Sequence, residues 1–277
     1  MTYHNPPDQI AAVLRSVSAT PGVAVTVVDN SSDDKLAEVV HRFGARYVHR
    51  PDNPGFGAAH NIAIRDALAS TSRYHLVLNP DVSFDDKVIP ALKAYMDAHP
   101  DIGLIMPDIR YPDGSRQYLC KLLPHPIDLF VRRFVPTLYR LSGRVETYEM
   151  RRSGYDRIMD VPALSGCFMF LRSAVLQKTG GFDERFFMYL EDVDLSRRIG
   201  RLARTVFFPL VSITHAYQKG SYKSSALLWR HISSAVRYFN KWGWFFDAER
   251  GAVNRAALKG LEQPVRVADK TTSISHE

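Results

Sequence analysis

The sequence predicts an α/β fold in which a mostly parallel central sheet is flanked by helices, and three observations predict it. Short β-branched runs alternate with segments whose apolar residues recur at helical spacing, and the connections between them are short. The composition, 45% hydrophobic and 23% charged over 277 residues, is that of a folded chain long enough for one large domain with a small appendage.

Asn5-Pro6-Pro7-Asp8 signals a helix start, and Ile10, Val13, Leu14 and Val17 follow at helical spacing. Residues 23–28 form a β-branched run that predicts a buried strand, and Leu36, Val39, Val40 and Phe43 repeat the helical period. Residues 46–49 and 74–78 predict strands on either side of a helix at 58–69, which a Pro/Gly loop opens. A helix at 87–98 and a strand at 103–106 come next, then a turn at Tyr111-Pro112-Asp113-Gly114 that suits a β-ribbon. Residues 121–160 mix charge, proline and aromatics without a period and predict an irregular or helical insertion. Regularity returns with a strand at 168–171, a helix at 173–178, a Gly180-Gly181 break, a helix at 191–200 and a strand at 205–208. Leu228, Ile232, Val236 and Phe239 then predict the packed face of a helix that ends at Trp242-Gly243-Trp244. The polar tail after about residue 260 is expected to be disordered.

Several classes are excluded early. No run approaches the roughly 18 apolar residues of a membrane span, and the N-terminus lacks a signal-peptide layout. Cys120 and Cys167 have no metal-ligand spacing and read as reduced thiols, so a cytoplasmic protein is expected. The net charge of +7 is concentrated late: between Arg197 and Arg250 ten Lys/Arg face only Asp247 and Glu249. Such a patch suits nucleic acid, anionic lipid or phosphorylated substrates, and charge alone does not choose among them.

Five clusters could carry chemistry. Asp29-Asn30-Ser31-Ser32 follows the 23–28 run; at a strand's carboxyl end these side chains can bind a base or ribose, or simply cap a helix. Asn53-Pro54-Gly55-Phe56-Gly57 allows close approach to a ligand, or is only a turn, with Asn61 one helical turn further on. Asn79-Pro80-Asp81 puts a carboxylate at a strand end, where it could hold a hard divalent cation or sit in a turn. Glu191-Asp192-Val193-Asp194 opens a helix behind Phe186-Phe187-Met188-Tyr189, so a carboxylate in a partly dry site could act as a base, or the acids merely complement the helix dipole. His215 is followed by Lys219, Ser221 and Lys223, which together could embrace a diphosphate; a lone histidine is also a common structural hydrogen-bonder.

In this order and context the clusters resemble the family 2 glycosyltransferases, and within them the bacterial rhamnosyltransferases of O-antigen and cell-wall polysaccharide synthesis. The likeness runs from about Thr2 to Trp244. It includes Gly166-Cys167-Phe168-Met169 and Ile213-Thr214-His215, and is most specific from Gly181-Phe182-Asp183 to Glu191-Asp192. The resemblance implies a GT-A nucleotide-diphospho-sugar transferase fold over 1–225 with an insertion near 121–160, then a helical segment at 226–260 and a tail at 261–277. It implies a nucleotide-sugar site at Asp29, Asn30, Ser31, Gly55, Phe56, Gly57, Asn61, Asn79 and Lys219, with Asp81 and His215 on Mg²⁺ or Mn²⁺. Asp192 would be the general base of an inverting transfer, with Glu191 shaping its field. The implied donor is dTDP-β-L-rhamnose, and the implied acceptor is a saccharide, in some relatives linked to polyprenyl diphosphate at the inner face of the membrane. Peripheral membrane contact through the arginines, Trp242 and Trp244 is a corresponding expectation.

Two departures stand out. The family's first strand precedes the segment matching Thr2-Tyr3-His4-Asn5, so the strand is missing or truncated here and an upstream in-frame extension is expected. Asn79 replaces an acid, so metal binding should be weaker. Alternatives are a UDP-galactofuranose, UDP-GlcNAc or UDP-glucose donor, or a nonenzymatic nucleotide-sugar binder. Nucleic-acid binding is set aside because no recognisable motif supports it.

Overall fold

The computed structural model describes residues 1–216 and 225–262. Helix α1 (Pro7–Ser18) starts on Pro7, whose fixed φ suits a first helical turn, and buries the predicted Ile10, Val13, Leu14 and Val17. Strand β1 (Thr26–Asp29), α2 (Ala37–Arg42) and β2 (Arg46–His49) follow, with β1 and β2 paired in parallel. Thr2 makes a single parallel bridge to Asp29 on the other edge of β1. This unit has its own core of Ile10, Leu14, Val27, Leu36, Val39, Val40 and Ala45.

The larger sheet is built from β3 (Tyr74–Leu78), β4 (Val82–Ser83), β5 (Ile102–Arg110), β6 (Met159–Asp160), β7 (Phe168–Arg172) and β8 (Arg204–His215), in the order β3-β7-β5-β8-β4 with β6 also on β8. Here the expectation of a mostly parallel sheet is corrected: β5–β8 is its parallel pair, and the β3–β7, β5–β7, β4–β8 and β6–β8 pairs are antiparallel. The chain between β5 and β7, which contains the 121–160 insertion, returns to the sheet at the end where β5 leaves, so β7 slots between β3 and β5 against their direction. Strand β8 also runs past the predicted 205–208. Pro209 ends the sequence pattern, but the ladder to β5 shifts register between Pro107 and Asp108 and resumes at Ser212, carrying the strand to His215.

Helices α3 (Phe56–Ala69), α4 (Val88–Ala98), α8 (Ser173–Thr179) and α9 (Glu191–Gly200) accompany these strands, and Leu92, Met96, Ile102, Leu104, Phe168, Leu171 and Leu195 are among the core they enclose. The insertion is helical, with α5 (Pro126–Phe134), α6 (Pro136–Leu141) and α7 (Arg144–Tyr148). His125 and Asp128 cap the start of α5 reciprocally.

Helix α10 (Ser225–Trp242) buries Ser234, Ala235, Tyr238 and Phe239, so the packed stripe is rotated from the predicted one and Val236 is exposed. Full burial of a ring such as Phe239 is worth roughly 1.5–3 kcal/mol. Helix α11 (Ala248–Glu262) lies largely within the expected helical segment at 226–260; it runs through Gly251 and Gly260, and Arg250 is its buried residue. No helix among the described residues is long and apolar enough to cross a membrane.

Candidate active site

The first cluster lies where β1 ends. Asp29 is fully buried; its Oδ1 accepts from the Ser31 N–H at 3.0 Å and the Ser31 hydroxyl at 2.5 Å, and its Oδ2 from the Tyr47 hydroxyl at 2.7 Å. These three donors hold a buried carboxylate that would otherwise be costly. In return, burial and then Asp29 push the Tyr47 hydroxyl above its ordinary pKa. Asn30 donates from Nδ2 to Asn53 Oδ1 at 3.2 Å and to the Gly55 carbonyl at 3.4 Å, tying this strand end to the next loop.

Gly55 sits at φ 98°, and a Cβ there would overlap the Phe187 carbonyl oxygen. That same oxygen accepts from the Phe56 N–H at 2.8 Å. Gly57 is needed for packing, since its Cβ would come within 2.8 Å of Phe182. Asn61 is a correction to the expected ligand set. Its Oδ1 accepts from the Phe182 N–H at 2.9 Å, and its Nδ2 donates to the Phe182 carbonyl and Glu184 at 2.9 Å each. Its amide is spent on clamping α3 to the 182–184 turn. Lys219 lies outside the described residues.

Asp81 and His215 do come together. Asp81 immediately precedes β4, whose Val82 pairs with His215, and the Asp81 Oδ1 is 3.3 Å from His215 Nε2. Gln117 sets the imidazole from behind: its Nε2 donates to the His215 carbonyl at 2.7 Å, which turns its Oε1 toward His215 Nδ1 at 3.0 Å. Nδ1 therefore carries the hydrogen, and Nε2 faces Asp81. Burial alone would lower the histidine; the hydrogen bond to Asp81, helped by Cys167, outweighs it and raises the pKa to about 10.

A carboxylate oxygen beside an imidazole nitrogen fits a divalent cation, Mn²⁺ as readily as Mg²⁺. Among the described residues no third His, Cys, Asp or Glu joins them, so diphosphate oxygens and water would complete the coordination. The Asn79 N–H donates to the Cys167 carbonyl at 2.9 Å, and the residue lines a small cavity with Met1, Thr2 and Leu78.

The third part is the start of α9. Tyr189 and Leu190 both have left-handed φ, 72° and 67°, and each such non-glycine residue costs of order 1–3 kcal/mol. The strained pair turns the chain so that Glu191 and Asp192 head the helix. Asp192 is half-buried; its Oδ2 accepts from the Gly166 N–H at 2.9 Å and its Oδ1 from the Val193 N–H at 2.8 Å. Both oxygens are thereby oriented, with lone pairs left for a substrate proton.

Glu191 is 5% exposed; burial first, then Asp192, push its pKa well above the usual carboxylate range. Both effects favour its protonated form. Asp192 and Glu191 open onto a cavity of about 150 Å³, shared with Lys121, Leu129 and Tyr148 of the insertion and His231 of α10.

One short segment connects these parts. Gly166 holds Asp192, and the adjacent Cys167 touches His215 and bonds Asn79. A Cβ on residue 166 would lie 3.3 Å from Asp192 Cβ and 3.5 Å from the Phe56 ring. Asp192, the Asp81–His215 pair and the loop after β2 therefore meet around the start of β7.

Among the described residues, several cations of the C-terminal third are paired within the protein. Arg197 forms a fork with Asp247 at 2.8 Å and reaches Glu249; Arg198 and Lys241 share the buried Asp194 at 2.8 and 2.6 Å; Arg204 pairs with Asp101 and Asp160. Trp242 donates to Asp194 and lies under Arg197 and Arg201, and Trp244 donates to Asn240 and stacks on Phe130. The charges of Arg197, Arg198, Arg204 and Lys241 and the two indole N–H groups are thus engaged within the protein. Tyr47, Gln117 and Tyr148 were not picked out from sequence. Their partners lie far along the chain, and only the turn before Gln117 marked its neighbourhood.

Comparison with known proteins places the chain in a family. Residues 1–178 match the profile of glycosyl transferase family 2. The chain is 30% identical over 234 residues to an N-acetylglucosaminyl-diphospho-decaprenol L-rhamnosyltransferase of Mycobacterium tuberculosis, covering 80% of this chain and 76% of that one. It is 27% identical over 257 residues to the rhamnosyltransferase WbbL of Escherichia coli, covering 85% and 89%.

Among solved structures it resembles the mannosyltransferase PcManGT of Pyrobaculum calidifontis in complex with GDP-Man and Mn²⁺ (TM-score 0.56, 18% identity, 85% of this chain and 62% of that chain). It also resembles GalNAc-T7 with UDP, GalNAc and Mn²⁺ (TM-score 0.62, 14% identity, 87% and 46%). The chain thus spans under two thirds of the length of either solved structure. With its GT-A fold and this arrangement of carboxylates, the chain belongs to the family 2 glycosyltransferases.

Proposed function

We propose that the protein moves L-rhamnose from dTDP-β-L-rhamnose to a saccharide carried on a polyprenyl diphosphate, with inversion, at the inner face of the membrane. The observation that carries the catalytic part is the two-residue segment Gly166-Cys167, which fixes Asp192 on one side and adjoins the Asp81–His215 pair on the other. The relatives' activities support the choice of sugar and lipid carrier.

In this mechanism Asp192 accepts the proton of the acceptor hydroxyl as its oxygen attacks the anomeric carbon. The bond from that carbon to the diphosphate oxygen breaks with its electron pair on the nucleoside diphosphate, and an α-linkage results. A divalent cation held by Asp81 and His215 would neutralise charge on the departing diphosphate. Asn30, Gly55 and Phe56 form the floor beneath the donor, and the buried Asp29 carboxylate, bonded to Ser31 and Tyr47, holds the turn that meets its nucleoside.

Calorimetric binding of dTDP, dTDP-rhamnose, UDP and UDP-sugars, with and without Mg²⁺ or Mn²⁺, tests the proposal. Metal-enhanced preference for dTDP-rhamnose is expected. Preference for a UDP-sugar would overturn the donor, and absence of any nucleotide binding by folded protein would overturn the catalytic reading.

A further inference from the structure

Four large apolar side chains reach solvent at one corner of the molecule, where the start of α5 meets the turn between α10 and α11. Phe246 is 98% exposed, Phe245 and Leu141 are more than half exposed, and Ile127 joins them from the first turn of α5. Contacts fix them as neighbours. The Phe245 ring meets His125 at 5.9 Å, and Asp128, also in the first turn of α5, accepts from Tyr139 and Arg144 on either side of Leu141 at 3.1 and 2.9 Å.

The turn that carries the two phenylalanines is braced. The buried Arg250 guanidinium donates to the Trp244 and Phe245 carbonyls at 3.1 Å each. Gly243 sits at φ 100°, where a Cβ would come within 2.8 Å of the Phe246 carbonyl oxygen. These constraints keep the rings from folding back onto the core, and contiguous exposed apolar surface of this kind marks an interaction site.

Charge is sorted around the same corner. Asp128 and Asp247 are buried and bonded to arginines, and Glu249 pairs with Arg197 and Arg201. Arg140, beside Leu141, is exposed, and the outer face of α11 presents Ala252, Arg255, Ala256 and Lys259 at helical spacing, with Glu262 at its far end. Acids turned inward and cations outward leave a positive rim around the protruding rings.

We propose that this corner docks on an anionic phospholipid bilayer, with Phe245 and Phe246 entering the boundary between headgroups and acyl chains and Arg140, Arg255 and Lys259 lying against the phosphates. Protruding rings with a cationic rim match a lipid surface, whereas the core of a protein–protein interface is depleted of charge and of lysine. The surface differs from the one expected in sequence, since the indoles of Trp242 and Trp244 bond Asp194 and Asn240 and the phenylalanines beside them are the exposed rings. Docking rests on the proposed function only in placing transfer at a membrane, and vesicle binding is read without any sugar.

The test floats the full chain with vesicles of phosphatidylethanolamine and phosphatidylglycerol, and with phosphatidylcholine alone, at low and high salt. Wild-type protein should bind the anionic vesicles and be released by salt. Phe246→Ser removes a ring that the core does not use and should weaken binding by about tenfold or more. Arg255→Gln combined with Lys259→Gln should cost about tenfold or more on anionic vesicles only, and nucleotide-sugar affinity should stay level throughout. Wild-type protein that stays off anionic vesicles, or Phe246→Ser that binds them equally well, overturns the proposal. So does lipid-free self-association that Phe246→Ser abolishes, which would make a second copy the occupant. Nucleotide-sugar binding that persists in those cases leaves the transferase reading intact, and its absence from protein that binds vesicles overturns that reading alone.

Discussion

Replacing Asp192 by asparagine tests two physical claims at once. Both carboxylate oxygens accept a backbone N–H, from Gly166 at 2.9 Å and Val193 at 2.8 Å. An amide has one oxygen, so its NH₂ must face one of these two donors. The variant therefore loses a charge-assisted hydrogen bond worth about 1.5–3 kcal/mol. At roughly 2–4 °C per kcal/mol for a chain of this order, Tm should fall by about 3–12 °C. Loss of the base should slow transfer by about 10²–10⁴, equivalent to roughly 3–5 kcal/mol of barrier.

Donor affinity should change little, since Asp81 and His215 are untouched. Initial rates, nucleotide titration and a thermal scan measure the three quantities. A transfer rate within about tenfold of wild type would refute Asp192 as base. A lowered rate with an unchanged Tm would refute the claim that two N–H groups hold the side chain.

Three further outcomes follow from the geometry. His215 has its pKa raised from 6.5 to about 10, so its contribution in metal-free protein is complete below the unfolded value and is lost as pH rises toward the folded one. Denaturant stability should fall across that window by up to about 1.4 kcal/mol per pH unit, Mn²⁺ should flatten the slope by displacing the proton, and a slope unchanged in His215→Gln would contradict the assignment. Gly55→Ala forces a side chain into the left-handed region against the Phe187 carbonyl and should cost about 2–4 kcal/mol by urea denaturation; a neutral effect would mean that the 53–57 loop is not held against 187. Asp194→Ala leaves Lys241, Arg198 and the Trp242 indole without their shared acceptor and should cost about 3–5 kcal/mol, whereas a loss under about 1 kcal/mol would show a merely superficial network.

Local features of the fold were legible in sequence, and pairings between distant segments were not. Strands 46–49 and 74–78 and the helix at 191–200 match their predicted limits because turns or breakers bracket a clear period. Asp29, Asp81 and Asp192 stood out because each follows a strand or an aromatic turn. The direction of β7 could not be read, since it depends on how an aperiodic insertion folds back. Asn61 looked like a ligand because its demand for hydrogen bonds is visible in sequence, but its partners at Phe182 and Glu184 are not. The late basic run looked like a surface for the same reason: Asp101, Asp160, Asp183 and Asp194, which pair with Arg198, Arg204 and Lys241, lie upstream of the counted window.

The Asp194 junction has a consequence for the order of events during synthesis. Phe186, Leu190 and Val193 share their core with Ala235, Tyr238 and Phe239, and the buried carboxylate of Asp194 finds Lys241 and Trp242 only after most of the chain is made. On the ribosome the N-terminal β1–β2 unit can settle early on its own small core. The helix that carries Asp192 cannot be sealed until the last third has emerged. Nascent chains should therefore acquire the β1–β2 unit well before α9 is packed, and a stalled chain ending before α10 would present an apolar face to chaperones in place of a closed core.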